Sequence, residues 1–380
     1  MAEALVSSSV CVPEETLNIT NSSIVSYLLY DNADRIIITI INPIILFTGF
    51  LGNLSFLYVM LRIRRMRTIT NIYLTNLAIA DICFLTTAVG EKLGRYLVSP
   101  LAGDQSTLGK PGCLTIYTFM NTCYFASLYL ITMVTLEKYY AICRPIEHRR
   151  IAGFKRAGQL VALGWFVSFC FACLLIPGYV QFSVVCISWP TPFDDVLPDV
   201  FGVCTALDDW VINYVNGLQS VPFFITLSIN TFMYYNIIKA MTFRARVVPG
   251  KTRPNSSTID GLNHERLKFR NQVTKMVLII GVIFFICVTP YHSACLVLMI
   301  SGSLDKHLLS VGQLETLLHV CRLLTYINSA VNPYVYNISN SLYRKCFKEA
   351  FLLTKFRHTE NESRPVTSLS MVNNYVKESE

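Results

Sequence analysis

Residues 36–61 read IIITIINPIILFTGFLGNLSFLYVML and contain no Asp, Glu, Lys or Arg. A helix needs roughly 20 apolar residues to cross a bilayer, and this run is longer. Charges are also absent from 111–136 and from 157–193. Of all 380 residues only 15% are charged and 53% are hydrophobic, whereas about 25% of residues are charged in a typical soluble domain. The sequence therefore predicts an all-α membrane protein and excludes a soluble globule, a fibre and a disordered chain.

Seven segments are long and apolar enough to cross a membrane. In lipid only helices and closed barrels satisfy every backbone hydrogen bond, and these runs are too long for barrel strands. The last run is the weakest by hydropathy because it carries His319 and Arg322. The predicted spans are 36–61, 68–94, 111–136, 157–180, 210–238, 274–300 and 316–338.

These spans divide the chain into an extracellular tail at 1–35, a seven-transmembrane helix bundle at 36–338, a short amphipathic helix at 339–354 and a disordered cytosolic tail at 355–380. In the third part apolar residues recur at helical spacing opposite Arg and Lys, which is typical of a helix lying on the inner leaflet. Cys346 lies on the apolar face and is a candidate for lipidation, so membrane lipid is a predicted partner. The Ser- and Thr-rich tail is expected to be phosphorylated.

Lysine and arginine predict the orientation of the chain. They are concentrated in the connections 62–67, 137–156 and 239–275, whereas the loop 181–209 carries Asp residues and no Lys or Arg. By the positive-inside rule the N-terminus is extracellular, which suits a multi-pass protein of the plasma membrane. This placement explains the net charge of +8 without a nucleic-acid partner. Asn18 and Asn21 begin sequons on the outer side and are predicted glycosylation sites.

One carboxylate, Asp81, lies in the middle of the second span. At that depth a carboxylate costs roughly 2.5–3.5 kcal/mol, so it needs polar partners. Hydroxyl and amide oxygens from Ser127, Asn328 and Asn332 would complete a set of hard ligands suited to Na⁺. A plain hydrogen-bonded network between helices is an equally good interpretation. No other cofactor is predicted.

A second polar group lies near the outer ends of the spans. Glu91 and Arg95 share one helix face in the second span, beside Lys92, and Arg322 lies in the outer third of the seventh. Mutual pairing and snorkelling would explain them without any function. Alternatively they form the polar floor of an outward-facing pocket. The complete candidate ligand-binding set is Glu91, Lys92, Arg95, Met120, Asn121, Tyr291, His292, Cys295, His319 and Arg322.

Four cysteines, Cys11, Cys113, Cys186 and Cys204, lie where an oxidising compartment would reach them. Cys113, at the outer end of the third span, is well placed for a disulfide to the 181–209 loop. Spacing alone does not choose between Cys186 and Cys204. The chain has no phosphate-binding loop, zinc box or nucleophile elbow, so an enzyme is not predicted.

Taken in order, the motifs of the spans resemble those of the rhodopsin-like G-protein-coupled receptors. The likeness covers about residues 36–353. It rests on Gly52-Asn53, the LAIAD of 77–81, Cys113, Glu137-Lys138-Tyr139, Trp165, Pro222, Phe284 with Cys287 and Pro290, and the NPYVY of 332–336. The exit of the seventh span, 336–344, is similar to that of receptors for thyrotropin-releasing hormone, ghrelin and neuromedin U.

This resemblance implies an extracellular peptide ligand, basic or amidated, and coupling to a heterotrimeric G protein. It implies arrestin and receptor kinases as partners of the C-terminal tail. The likeness of 184–190 to the second outer loop of tachykinin receptors favours Cys186 as the partner of Cys113. Glu137 and Lys138 are expected to pair at rest. The implied switch residues are Glu137, Lys138, Tyr139, Asn332, Pro333 and Tyr336.

The sequence also departs from the family pattern. Lys138 replaces the third-helix arginine, Val288 the sixth-helix tryptophan and Asn230 the fifth-helix tyrosine. The third span has no acid to hold an amine, with Met120 in that place, and the seventh has no lysine for a retinal Schiff base. Amine receptors and opsins are thereby excluded. Two other functions stay open, an ion-coupled transporter or channel that uses Asp81 and a receptor-like scaffold that does not signal.

Overall fold

The computed structural model describes residues 16–194, 196–247, 259–304 and 311–352. Seven long helices are named here from first to seventh, and their ends are called outer and cytosolic after the charge-based prediction. Their bounds are Asn32–Arg62, Ile69–Val98, Gly109–Cys143, Phe154–Leu174, Asp209–Val247, Ile259–Ser303 and Val311–Ser339. Shorter helices run over Ser22–Leu28 (the N-terminal helix), Pro145–Ile151 (the loop helix) and Ser341–Leu352 (the surface helix).

Within the described residues, six of the long helices are apolar enough to cross a membrane. The seventh helix does not belong to that group, as its polar residues led us to expect. It nevertheless packs against both the first and the sixth helix and so closes the bundle. Gly49 permits the close approach of the first helix, because a Cβ there would lie 2.9 Å from that of Ala330. The predicted seven-helix bundle is confirmed.

The helices extend beyond the predicted spans, since a helix does not end where the hydrocarbon ends. The first begins at Asn32 behind an Asp31 cap, four residues before the predicted boundary, and passes through a π-helical segment at Ile37–Ile41. The second is capped by Thr68, whose hydroxyl accepts from the Asn71 amide at 3.3 Å. The predicted amphipathic helix is present at Ser341–Leu352, and the predicted tail beyond it lies outside the described residues.

A small sheet covers the outer end of the bundle, in a region for which we predicted only loop. Strand β1 (Thr16–Asn18) runs parallel to β2 (Gln181–Ser188), and β2 pairs antiparallel with β3 (Val200–Thr205). The β2–β3 hairpin is joined to the third helix by a disulfide between Cys113 and Cys204. The prediction of Cys186 as that partner was therefore wrong. Cys186 lies at the far end of β2 and is disulfide-bonded separately from the Cys113–Cys204 pair.

The surface helix packs against the bundle through its apolar face. Tyr343 is buried against Phe56 and Tyr336, and its hydroxyl donates to the side-chain oxygen of Asn71. Cys346 is fully buried on the same face and accepts a hydrogen bond from Arg65 at 3.3 Å. The prediction that Cys346 faces lipid was wrong, because the bundle covers it. Burial also raises the pKa of this thiol, which disfavours the reactive thiolate.

Candidate functional site

A cavity of about 840 Å³ opens at the outer end of the bundle. Ligand sites in proteins typically have volumes of 300–1,000 Å³, so this cavity has room for several side chains of a ligand. Its walls come from the first, second, third, fifth, sixth and seventh helices, and its mouth from the segment 26–34 and the end of β3. Tyr30 fixes that segment, since its amide donates to the Pro100 carbonyl at 3.4 Å.

One wall of the cavity contains an ion pair that the sequence predicted. Arg95 Nε lies 2.7 Å from Glu91 Oε1, and the Tyr117 hydroxyl donates to the same carboxylate oxygen at 3.1 Å. At the mouth, His319 Nδ1 lies 3.2 Å from Asp34 Oδ1. Both carboxylates thus have a partner on another helix, Tyr117 of the third helix for Glu91 and His319 of the seventh helix for Asp34.

Eight of the ten predicted ligand-binding residues line the cavity. They are Glu91, Lys92, Arg95, Met120, Asn121, Tyr291, His319 and Arg322. His292 and Cys295 are buried behind the wall instead. The sequence analysis missed several lining residues, among them Tyr117, Tyr124, Gln219 and Tyr326. Helical spacing offered a signal for two of these, because Tyr117 and Tyr124 lie three residues before and four residues after Met120.

His292 packs below the cavity, one helical turn after Val288. Its ring stacks on Phe223 with 4.2 Å between centroids, and its Nε2 is hydrogen-bonded to the Tyr124 hydroxyl. The Ser220 hydroxyl donates to the His292 carbonyl at 3.2 Å. Tyr124 also lines the cavity, so it connects the ligand space with the packing between the fifth and sixth helices.

Asp81 lies at the centre of the bundle and is completely buried. Asn332 Nδ2 donates to one carboxylate oxygen at 2.8 Å and Ser127 Oγ to the other at 3.4 Å. Asn328, one turn before Asn332, is also buried, and its Oδ1 has no hydrogen-bond partner among the described residues. The Oδ1 of Asn53 is likewise buried without a hydrogen-bond partner among the described residues. Carboxylate, hydroxyl and amide oxygens are ligands that Na⁺ accepts, and a cation at Asp81 stays a prediction.

At the cytosolic end two residues of the predicted switch have other partners than we expected. Glu137 pairs with His148 of the loop helix at 2.9 Å, whereas the Lys138 ammonium donates to the Thr70 hydroxyl at 2.6 Å. The expected Glu137–Lys138 pair is therefore wrong. The two side chains point to different neighbours because successive residues on a helix lie about 100° apart.

Three further residues of the predicted switch are buried or packed. Tyr139 packs near Phe232, with 6.5 Å between ring centroids. Tyr336 is fully buried against Phe56, 4.8 Å away, and Pro333 lies beside Gly52 of the first helix. Of the predicted glycosylation sites, Asn18 and Asn21 are both exposed.

The chain resembles known receptors over most of its length. Residues 52–336 match the family model described as 7 transmembrane receptor (rhodopsin family). The thyrotropin-releasing hormone receptor of Gallus gallus is 26% identical, covering 87% of this chain and 82% of the relative. Galanin receptor 2a of Danio rerio is 26% identical, covering 84% and 78%, and somatostatin receptor type 2 of Mus musculus is 26% identical, covering 88% and 82%.

Proposed function

Because the chain belongs to the rhodopsin family of seven-transmembrane receptors, we propose that it binds an extracellular peptide and promotes nucleotide exchange on a heterotrimeric G protein. The cavity of about 840 Å³, open at the outer end and lined by charged side chains, carries this proposal. Relatives named for three peptide hormones support the ligand class. The N-terminus would then be extracellular, and arrestin and receptor kinases would act on the tail.

The ligand has to satisfy two electrostatic regions. The mouth presents Asp31 and Asp34, and Asp208 and Asp209 are exposed at the outer end of the fifth helix. Such a surface concentrates cationic partners before they dock. Deeper, Arg322 lines the wall of the cavity. A peptide with basic residues toward the rim and a carbonyl-rich or amidated end directed to Arg322 satisfies both regions.

Binding would be transmitted through the bundle as a shift between two arrangements. A ligand shifts this equilibrium only by its differential affinity for the two states. Tyr124 and His292 connect the cavity to the sixth helix, and Asp81 and Asn332 connect the second helix to the seventh. The cytosolic contacts of Glu137 and Lys138 would hold the resting state.

The test is a peptide screen in transfected cells. Thyrotropin-releasing hormone, galanin, somatostatin and a panel of amidated neuropeptides are applied, and calcium and cyclic AMP are measured. Cells transfected with an empty vector control for endogenous receptors. A response confined to receptor-expressing cells supports the proposal. Ligand-independent current or flux would favour a transporter or channel instead.

A second candidate function is a receptor-like scaffold that binds a peptide without signalling. It is favoured by one observation, that Lys138 donates a hydrogen bond to Thr70 while His148 pairs with Glu137. Lysine lacks the planar fork of arginine, so its interactions with a G protein would differ. Saturable peptide binding without a calcium or cyclic AMP response at matched surface expression would support the scaffold.

A further inference from the structure

The charges inside the cavity are unequally paired. Glu91 forms an ion pair with Arg95 and accepts a hydrogen bond from Tyr117, and Asp34 pairs with His319. Asp31 caps the first helix at the exposed rim, where it accepts from the Asp34 amide at 2.6 Å. Lys92 and Arg322 also line the cavity, and neither has a hydrogen bond or ion pair to a carboxylate within the part of the chain that the structure describes.

These two cations also act on each other. Both are partly buried, and both line the same cavity. Like charges that share a partly dehydrated site repel one another, and an unpaired charge there loses hydration without compensation. Holding both cations in one cavity therefore has an electrostatic cost that a bound anion would remove.

The chemistry of the two side chains favours one class of anion. The guanidinium of Arg322 offers a planar fork that matches the two oxygens of a carboxylate, and the Lys92 ammonium adds a compact point charge. An amide end would supply one carbonyl oxygen and no charge. Hydrogen bonds between ionised partners are roughly twice as strong as those between neutral ones.

We infer that Lys92 and Arg322 form a carboxylate-binding subsite, so that the ligand presents a free acid, either its C-terminus or an acidic side chain, to the inner wall of the cavity. This assignment rests on the proposed function and replaces the amidated inner end with an anionic one. The acids at the mouth then bind the basic residues of the same ligand. The ligand is thus negative at its inner end and positive at its outer end.

The test uses a pair of small probes that differ only in this group, N-acetylphenylalanine and N-acetylphenylalaninamide. Thermal unfolding of the purified full-length receptor in detergent is followed with equal concentrations of each, at constant ionic strength. A ligand that binds only the folded state raises the unfolding temperature according to its affinity. We expect the acid to bind at least about fivefold more tightly than the amide, the difference between a charged and a neutral hydrogen bond.

Three variants assign the effect to the subsite. Lys92→Met and Arg322→Met should each reduce the preference for the acid, and the double variant should abolish it. Lys110→Met is the matched control, because Lys110 is an exposed cation at the outer end of the third helix, outside the cavity. Lys92→Gln replaces Lys92→Met if the latter does not fold.

Two results would overturn the assignment. One is equal stabilisation of the wild-type receptor by acid and amide, including none by either, a comparison that needs no variant. The other is an acid preference that survives the double substitution. Because no G protein takes part, acid binding without peptide-stimulated signalling would contradict the proposed function and leave the subsite intact. Signalling by amidated peptides without acid binding would contradict the subsite and leave the proposed function intact.

Discussion

Arg322 is the residue whose loss should most directly weaken ligand binding. It lines the cavity without a carboxylate partner among the described residues, so its guanidinium is available to a ligand. We expect Arg322→Ala to lower the potency of an activating peptide by at least about tenfold, or roughly 1.4 kcal/mol. Concentration–response curves at matched surface expression measure this, with Lys110→Ala as the control. Unchanged potency in Arg322→Ala would show that the peptide binds elsewhere.

Lys138 should control signalling without affecting ligand binding. Its ammonium donates to Thr70 at the cytosolic end, far along the third helix from the cavity. Lys138→Ala should leave peptide affinity intact and reduce G-protein activation at least about tenfold, since the charge is lost. Lys138→Arg should preserve activation, because the guanidinium offers more donors. Full activation by the alanine variant at equal expression would refute this role.

The contact with Thr70 can be tested separately. Thr70→Val keeps the shape of the side chain and removes the acceptor, which should take away one restraint on Lys138 and raise basal nucleotide exchange about fivefold. Thr226→Val is the matched control, because among the described residues the Thr226 hydroxyl bonds only to the Pro222 carbonyl of its own helix, at 2.7 Å. Equal basal exchange in the two variants, measured with a purified G protein, would argue against a restraining contact.

Among the secondary-structure elements, the surface helix depends on a buried hydrogen bond. The Tyr343 hydroxyl donates to Asn71, whose amide donates to the Met66 carbonyl at 2.5 Å. Tyr343→Phe leaves the Asn71 oxygen buried and unpaired, at a cost of about 1–3 kcal/mol. We expect a lower unfolding temperature in detergent. Tyr214→Phe, at an exposed site, should unfold like the wild type. An unchanged unfolding temperature in Tyr343→Phe would contradict this estimate.

The sequence predicted the helices well and their contacts only in part. Charge-free runs mark hydrocarbon-spanning helices directly, and Glu91–Arg95 follows from helical spacing. The partners of Glu137 and Lys138 were missed because they depend on which helix packs beside the third. The choice of Cys204 over Cys186 depends on the pairing of β2 and β3, where Cys204 faces Phe182 rather than Cys186. No local pattern encodes that register.

At the scale of the whole molecule, the described contacts join the two ends of the bundle. The cavity reaches Tyr124, which contacts His292, Phe84 and Phe125 through its hydroxyl and its ring. Below these lies Asp81, held by the third and seventh helices through Ser127 and Asn332. A change in the position of the seventh helix would therefore alter the hydrogen bonds of Asp81, where three helices meet.

This arrangement predicts that Na⁺ acts against agonists. If the ion binds Asp81 together with the oxygens of Ser127, Asn328 and Asn332, it stabilises the resting packing of the three helices. By linkage it must then lower agonist affinity by the same factor by which agonist lowers Na⁺ affinity, typically about 5- to 150-fold. Replacing Na⁺ with N-methyl-D-glucamine at constant ionic strength should raise agonist affinity in a competition binding assay.

Two variants decide whether Asp81 carries this effect. Asp81→Asn removes the charge and keeps the shape, so agonist affinity in this variant should no longer depend on Na⁺. Asp209→Asn, at an exposed acid of the fifth helix, should respond like the wild type. A Na⁺ response that persists in Asp81→Asn would exclude these residues as the ion site. It would leave the plain hydrogen-bonded network as the explanation, because the contacts from Ser127 and Asn332 need no ion.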